Sequence, residues 1–278
     1  MSLGLAFLGF GEVGQLFTQQ LAGCPSVTIA VYDILFEDRE CGVELKRRAA
    51  ECGALIATTA GQACLGNKFV ISAVTANSAL AAARAAAPTL EPAQTYIDLN
   101  SVSPTTKRRI ADEVERRGAE FVEFAVMAPV SGPGIAVPIL AGGQQAGAVA
   151  GALNPLGMSI TAHSTEIGVV SATKLCRSIV IKGLEALMVD LNLAAGTAGV
   201  LPAVLDSLTA SYPRMDWVEI AAQMPSRVKR HGMRRAAEMR EVSRMMEEMR
   251  LDGSLAEAIA VRHESFANAN TAEAGSTA

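Results

Sequence analysis

The sequence predicts an α/β protein: a Rossmann-type doubly wound sheet followed by an all-α C-terminal domain. Three observations predict it. Short apolar runs alternate with helix-patterned segments through residue 165 or so. The first run, Leu3–Leu8, passes directly into Gly9-Phe10-Gly11-Glu12-Val13-Gly14. Beyond that alternating half no strand-like run remains, and the pattern is helical.

The elements follow in order. After the Leu3–Leu8 strand a helix opens at the glycines and closes over residues 17–21, with Gly23 and Pro25 beyond it. The second apolar run, Val27–Tyr32, ends in Asp33. Residues 41–52 read as a helix stopped by Gly53, residues 55–58 as a short strand and 69–74 as a buried strand. An Ala-rich helix over 76–87 ends at Pro88, and 95–99 is a strand. Ser103 as N-cap and Pro104 at the first helical position start a helix to about residue 117. Residues 121–124, 138–141 and 160–162 read as strands and 145–153 as a helix. Alternation with short loops argues a parallel sheet. A long helix is expected over 171–197, then others over 201–208, 217–223, 226–249 and 255–263. The domains expected are 1–165, 166–265 and a loose tail over 266–278, rich in Ala, Asn, Thr, Ser and Gly.

Bulk properties exclude several classes. The 278 residues are half hydrophobic, so a sizeable core is available. A net charge of −4 gives no reason to expect nucleic acid or an anionic membrane as partner, and 4% aromatic residues make a poor single-strand platform. No apolar run is long enough to span a bilayer. The five cysteines (24, 41, 52, 64 and 176) form no C-x-x-C pair and no metal-ligand spacing. With the first strand at the N-terminus and no targeting segment, reduced thiols and a cytoplasmic location are expected.

The glycine run has the spacing G-x-G-x-x-G. In a dinucleotide site Gly9 permits the tight turn, Gly11 lets the pyrophosphate approach the backbone, and Gly14 lets the helix lie close to the strand. The opening helix offers free N–H groups and its positive dipole end to the phosphates. Asp33 stands where an acid holds the ribose hydroxyls of NAD. Its carboxylate repels a 2′-phosphate, which argues for NAD over NADP, although Arg39 lies nearby.

Three further segments carry chemistry once that site is assumed. Residues 98–104 leave the carboxyl end of a strand and present Asn100, Ser101 and Ser103. Residues 128–134, with two prolines and two glycines, make a stiff loop whose backbone N–H groups and Ser131 suit a carboxylate. On a helix over 168–185, Lys174, Ser178 and Glu185 share one stripe, with Arg177 and Lys182 on its edges and Ile181 within it. Most of the remaining circumference is apolar, so that stripe faces a cleft or partners. A lysine held there beside another cation gives up its proton more readily, as acid–base work requires.

Together these segments resemble the β-hydroxyacid dehydrogenase family, which includes 3-hydroxyisobutyrate and 6-phosphogluconate dehydrogenases. Residues 9–14 look like its cofactor motif, and 98–104 like its D-x-S-T-x-S-P substrate segment with Asn100 and Ser101 in place of Ser-Thr. Residues 128–132 match its A-P-V-S-G loop letter for letter, and Lys174 falls at its catalytic lysine, six residues after Gly168. Departures occur around the lysine. Val170 replaces a glycine, and Arg177 and Ser178 replace two asparagines, one of which helps hold the substrate. The run from Lys174 through Glu185, together with residues 231–239, is similar to a branch that joins a 6-phosphogluconate-dehydrogenase-like NAD-binding domain to a helical domain of unknown function.

The resemblance implies an oxidoreductase that transfers a hydride between a small hydroxy acid, a 3-hydroxy acid or sugar acid, and nicotinamide, with Lys174 as general acid/base. It implies substrate contacts at Ser101, Ser131, Gly132, Arg177 and Ser178. Cofactor contacts fall at Gly9, Phe10, Gly11, Glu12, Val13, Gly14, Asp33, Val74, Thr75 and Asn100. The cofactor is NAD, with NADP as the alternative, and no metal is implied. Arg177 is expected to bind a second anionic or carbonyl group, or to pair with Glu185. The family's layout implies an active site between its two lobes and a homodimer formed through the helical domain. His231 and Arg234 lie on a helix face that is either solvated or directed at a neighbouring active site. An imine reductase on the same scaffold and a non-catalytic NAD-binding sensor are the alternatives.

Overall fold

The computed structural model describes residues 2–275. The chain divides into two compact units, Met1–Lys174 and Leu175–Ala278. The division falls inside a long helix rather than before it, at a later residue than composition suggests.

The first unit is built on an eight-stranded sheet of order β3-β2-β1-β4-β5-β6-β7-β8. Its strands are β1 (Leu3–Leu8), β2 (Val27–Tyr32), β3 (Leu55–Ile56), β4 (Phe69–Ser72), β5 (Thr95–Asp98), β6 (Glu120–Val126), β7 (Pro138–Gly142) and β8 (Ser159–Ser164). Helices α1 (Glu12–Ala22), α2 (Gly42–Glu51), α3 (Ala60–Cys64), α4 (Ala79–Ala86), α5 (Pro104–Glu115) and α6 (Ala146–Leu153) make the connections. The inner strands β1, β4, β5 and β6 are buried almost throughout, which favours apolar residues, whereas β3 and most of β8 are exposed. Leu5 and Phe7 of β1 enter one core with Phe69, Ile71, Ile97 and Phe124. Ala6 and Leu8, pointing the other way, enter a second core with Val70, Tyr96 and Phe121.

The strands β1 to β6 run parallel, and β7 turns antiparallel to β6. The parallel expectation fails at β7 because the link from Val126 to Pro138 holds only one 3₁₀ turn, Gly134–Ala136. A parallel return needs a crossover, usually a full helix. Strand order reverses between β1 and β4, the crevice where doubly wound sheets bind ligands at the carboxyl ends of their strands.

Helix α7 (Val169–Thr197) runs through the division, and α8 (Leu201–Ser211), α9 (Trp217–Glu248) and α10 (Ser254–Gly275) complete the second unit. Two helices expected over 217–223 and 226–249 are one, with Pro225 inside it. Proline has no N–H for the carbonyl of Ala221, four residues back. Asn192 of α7 supplies the missing donor, its Nδ2 reaching the Ala221 carbonyl oxygen at 3.0 Å. The long helix survives its proline because a neighbouring side chain satisfies the freed carbonyl.

The expected loose tail also needs correction. Residues 266–275 continue α10, and Ala267 is buried. A Cβ on Gly232 of α9 would lie 2.5 Å from the His263 carbonyl oxygen and 2.7 Å from the Ala267 Cβ, so glycine there lets α9 and α10 approach. Residues 276–278 of that tail lie outside the described residues.

The proline compensation is testable. Asn192→Leu orphans a buried carbonyl and lowers the stability of the helical unit by about 1–3 kcal/mol in denaturant unfolding. In a Pro225→Ala background, where the helix supplies its own N–H, the same substitution costs measurably less.

Candidate active site

The glycine loop has the shape its spacing predicts. Gly9 follows β1 with φ +99°, and a Cβ there would sit 2.5 Å from the Ala73 carbonyl oxygen. A Cβ on Gly14 would collide with the Gly9 carbonyl oxygen. Gly11 is the opposite case, with nothing within 4 Å of its Cβ position. It is the N-cap of α1 and brings no side-chain cap. That leaves room at the start of α1, where helix-end N–H groups suit an anionic phosphate. Glu12 is exposed and Val13 half-buried beside it.

Phe10 gives its backbone to this loop and its ring to the core. Its ring is buried against Phe36, with centroids 5.8 Å apart, so it belongs to the core rather than lining the site. Its N–H donates to Asp33 Oδ2 at 2.6 Å, while Asp33 Oδ1 accepts from Leu35 N at 2.8 Å. Asp33 thus pins the glycine loop to the end of β2, and each oxygen keeps a lone pair for a hydroxyl. Val74 packs beside Gly9, and exposed Thr75 opens the turn after β4.

At the end of β5 the polar segment is tied inward. Asp98, fully buried, pairs with Lys107 of α5 at 2.6 Å. Asn100 Nδ2 donates to Asp98 Oδ1 and, at 2.9 Å, to Ser72 Oγ. Ser101 is half-buried, and Ser103 caps α5 by accepting from Thr106 N at 3.3 Å. Ser131 and Gly132 stand exposed on the loop after β6, with Val130 buried as its anchor. Gln20 of α1 braces the loop by accepting from Ile135 N at 2.7 Å.

Lys174 stands half-buried in the second turn of α7, and a buried carboxylate grips the start of that helix. Glu123 of β6, with no exposed surface, accepts from Gly168 N at 2.7 Å, Val170 N at 3.2 Å and Ser171 N at 3.3 Å. This offsets the carboxylate's desolvation and satisfies helix-end donors together. A Cβ on Gly142 would sit 2.9 Å from both Glu123 Oε1 and Val170 Cγ2, so glycine leaves room for this junction.

The second unit answers the question of partners for the stripe on α7. Glu185 pairs with Arg235 of α9 at 2.8 Å, not with Arg177, which is exposed. Lys182 is buried, pairs with Glu238 at 2.7 Å and donates to Ser178 Oγ at 2.9 Å. Ser178 is therefore already engaged as an acceptor, and its own proton is what it can offer. His263 of α10 is buried 4.0 Å from Glu185 Oε2, and both its ring nitrogens lack hydrogen-bond partners among the described residues. Burial, then the Arg235 and Lys182 cations, push the His263 pKa down to about 4. Burial pushes Glu185 upward against the pull of Arg235 and Lys182. His231 is half-buried and Arg234 exposed on α9.

Sequence reasoning missed Glu123, Lys107, Arg235 and His263. Lys107 left a signal, since it shares a helical stripe with Ile110, Ala111 and Val114, where an apolar residue is expected. Glu123 left a weaker one, a charge inside an apolar strand run. Among the described residues no group of three or more His, Cys, Asp or Glu could hold a metal, and no helix is long and apolar enough to cross a membrane.

The fold and the glycine cradle define a dinucleotide-binding α/β protein with a helical C-terminal unit. Residues 4–163 match the NAD binding domain of 6-phosphogluconate dehydrogenase, and residues 195–266 match a domain of unknown function, DUF1932. The chain belongs to the 6-phosphogluconate and 3-hydroxyisobutyrate dehydrogenase-like family, in the branch that carries this helical domain. A conserved hypothetical protein from Sinorhizobium meliloti 1021 is 36% identical, with TM-score 0.78, over 95% of this chain and 88% of that one. Conserved protein MTH1747, of unknown function and structurally similar to 3-hydroxyacid dehydrogenases, is 30% identical, with TM-score 0.74, over 97% and 98%. The 3-hydroxyisobutyrate dehydrogenase of Mycobacterium tuberculosis shares the fold, with TM-score 0.76 and 18% identity over 96% and 94%. The fold is that of an NAD-binding 3-hydroxyacid dehydrogenase, and the cofactor class is a nicotinamide dinucleotide.

The buried histidine predicts an acid limb in stability. The unfolded chain protonates His263 near its ordinary value of 6.5, and the folded chain only near 4. Its contribution is complete above 6.5 and is lost as pH falls toward 4, by roughly 3 kcal/mol. Glu185, shifted upward, contributes in the opposite sense, most in acid and less as pH rises. His263→Leu flattens the acid limb of a midpoint-versus-pH curve between those values, relative to the unsubstituted chain.

Proposed function

We propose that this protein is an NAD-dependent dehydrogenase of small hydroxy acids, with Lys174 as its general acid/base. One observation carries the reading. Lys174 lies two turns into a helix whose start is clamped by Glu123 to the sheet that carries the glycine cradle. A nucleotide-binding protein without turnover has no use for a lysine held in this way.

Gly9, Gly11 and Gly14 shape the cradle for the pyrophosphate, and Asp33 accepts from ribose hydroxyls. When bound, the nicotinamide ring supplies the hydride acceptor or donor. Lys174 takes the substrate's hydroxyl proton in oxidation and returns it in reduction. Ser131 and the Gly132 N–H hold the substrate carboxylate, with nothing near the Gly132 Cβ position to obstruct it. Ser101 borders the same substrate. Ser178, its oxygen occupied by Lys182, donates where the family's asparagine would. Arg177, exposed and absent from the ion pairs of the stripe, meets a second anionic or carbonyl group. Exposed apolar residues on α7 and α10, Val180, Leu187 and Val261 among them, are read as the face of a homodimer. Five free cysteines fit a reducing, cytoplasmic setting.

A screen of 3-hydroxy acids and sugar acids for NAD reduction identifies the substrate. On it, Lys174→Ala lowers kcat by about 10²–10⁴-fold while leaving NADH affinity near that of the unsubstituted protein. Near-normal turnover in that variant would remove the lysine from the mechanism. In direct titration NADH binds more tightly than NADPH, and Asp33→Ser narrows the difference by removing the charge that repels a 2′-phosphate. Tighter binding of NADPH by the unsubstituted protein would reverse the cofactor assignment.

A further inference from the structure

The polar network at the end of β5 contains a residue that the chemistry above leaves unused. Lys107 projects from α5 with 1% of its surface exposed, its Nζ 2.6 Å from Asp98 Oδ2 and 2.8 Å from the Asp98 carbonyl oxygen. Apolar residues of similar volume commonly stabilise a core as well as a buried ion pair does, so stability alone gives little account of it.

What the pair does locally is set Asn100. Lys107 grips one Asp98 oxygen, and the other accepts from Asn100 Nδ2, which also reaches Ser72 Oγ at 2.9 Å. Turned over, the amide would press its carbonyl oxygen against the Asp98 carboxylate, so the network selects one orientation. In that orientation Asn100 Oδ1 is buried and has no hydrogen-bond partner among the described residues. A buried acceptor without a donor is costly. This one stands at the carboxyl edge of the sheet, where Ser72 closes β4 and the next residue, Ala73, underlies Gly9.

We propose that Lys107 is a positioning residue for the bound dinucleotide. Through Asp98 it fixes the Asn100 amide so that Oδ1 accepts from an O–H or N–H on the nicotinamide half, a ribose hydroxyl or the carboxamide. This rests on the nicotinamide cofactor of the reading above and is independent of the substrate and of Lys174.

The test is a set of titrations of the unsubstituted protein, Lys107→Met, Asn100→Ala and the double variant with NADH, ADP-ribose and ADP. Each single substitution weakens NADH binding by about tenfold, the worth of one hydrogen bond. The double variant binds NADH no more weakly than either single one, because Lys107 acts only through Asn100. Binding of ADP, which reads the glycine cradle alone, is unchanged in all of them. An equal loss for ADP-ribose assigns the ribose hydroxyl as donor, and an unchanged ADP-ribose affinity assigns the carboxamide. If Lys107→Met does not fold, Asp98→Asn with Lys107→Met removes both charges, and the same loss of NADH affinity is expected. Full NADH affinity in either folded variant, additive losses in the double variant, or a parallel loss of ADP affinity overturns the proposal. An unsubstituted protein that binds ADP but not NADH overturns the cofactor reading, and this inference with it.

Discussion

The placement of Lys174 depends on one buried carboxylate. Glu123 sits in the middle of β6, where its strand neighbours are apolar on both faces. A charge in such a place is expensive unless hydrogen bonds replace its water. Three backbone N–H groups at the start of α7 do so, at the helix end where the dipole favours negative charge. The exchange is mutual, because those N–H groups have no intrahelical partners and are themselves shielded from water. Two glycines make it fit. Gly168 adopts φ +101° just before the helix, and Gly142 leaves the space that Glu123 and Val170 fill. The start of the helix that carries Lys174 is thus held by the sheet rather than by a loop.

Other buried charges are paired as well, though Glu185 Oε1 and Arg235 Nε have no hydrogen-bond partner among the described residues. Lys107 is spent on Asp98, Lys182 on Glu238 and Arg235 on Glu185. None of these cations is left to bind an anion. Among the charges of the α7 stripe, Arg177 is the exposed one. In the helical unit burial lowers the pKa of His263 and raises that of Glu185.

Much of the architecture could be read along the chain. Runs such as Phe69–Ile71 are apolar because they are buried in the sheet, and the glycine spacing carried its own geometry, since Gly9 and Gly14 each answer a local steric demand. Ser103 and Pro104 announced α5 because capping is a local bond. Where reading failed, a distant partner had overruled a local signal. Pro225 should break α9, yet Asn192 supplies the donor it removes. Phe10 sits in a cofactor motif, but its ring belongs to the core beside Phe36. The composition of residues 266–275 reads as loose, yet they continue α10, with Ala267 buried close to Gly232 of α9.

By itself, then, the sequence determined the order of strands and helices and the glycine loop of a dinucleotide-binding domain. Those depend on periodicity, on steric rules at glycine and on short-range bonds, all written within a few residues. Only the tertiary structure decided which charges are spent and which remain: Glu123 on α7, Lys107 on Asp98, Glu185 on Arg235 rather than Arg177. A carboxylate's partner is whatever donor folding brings within about 3 Å, and residues 45 or 50 positions apart in the chain carry no local mark of that meeting.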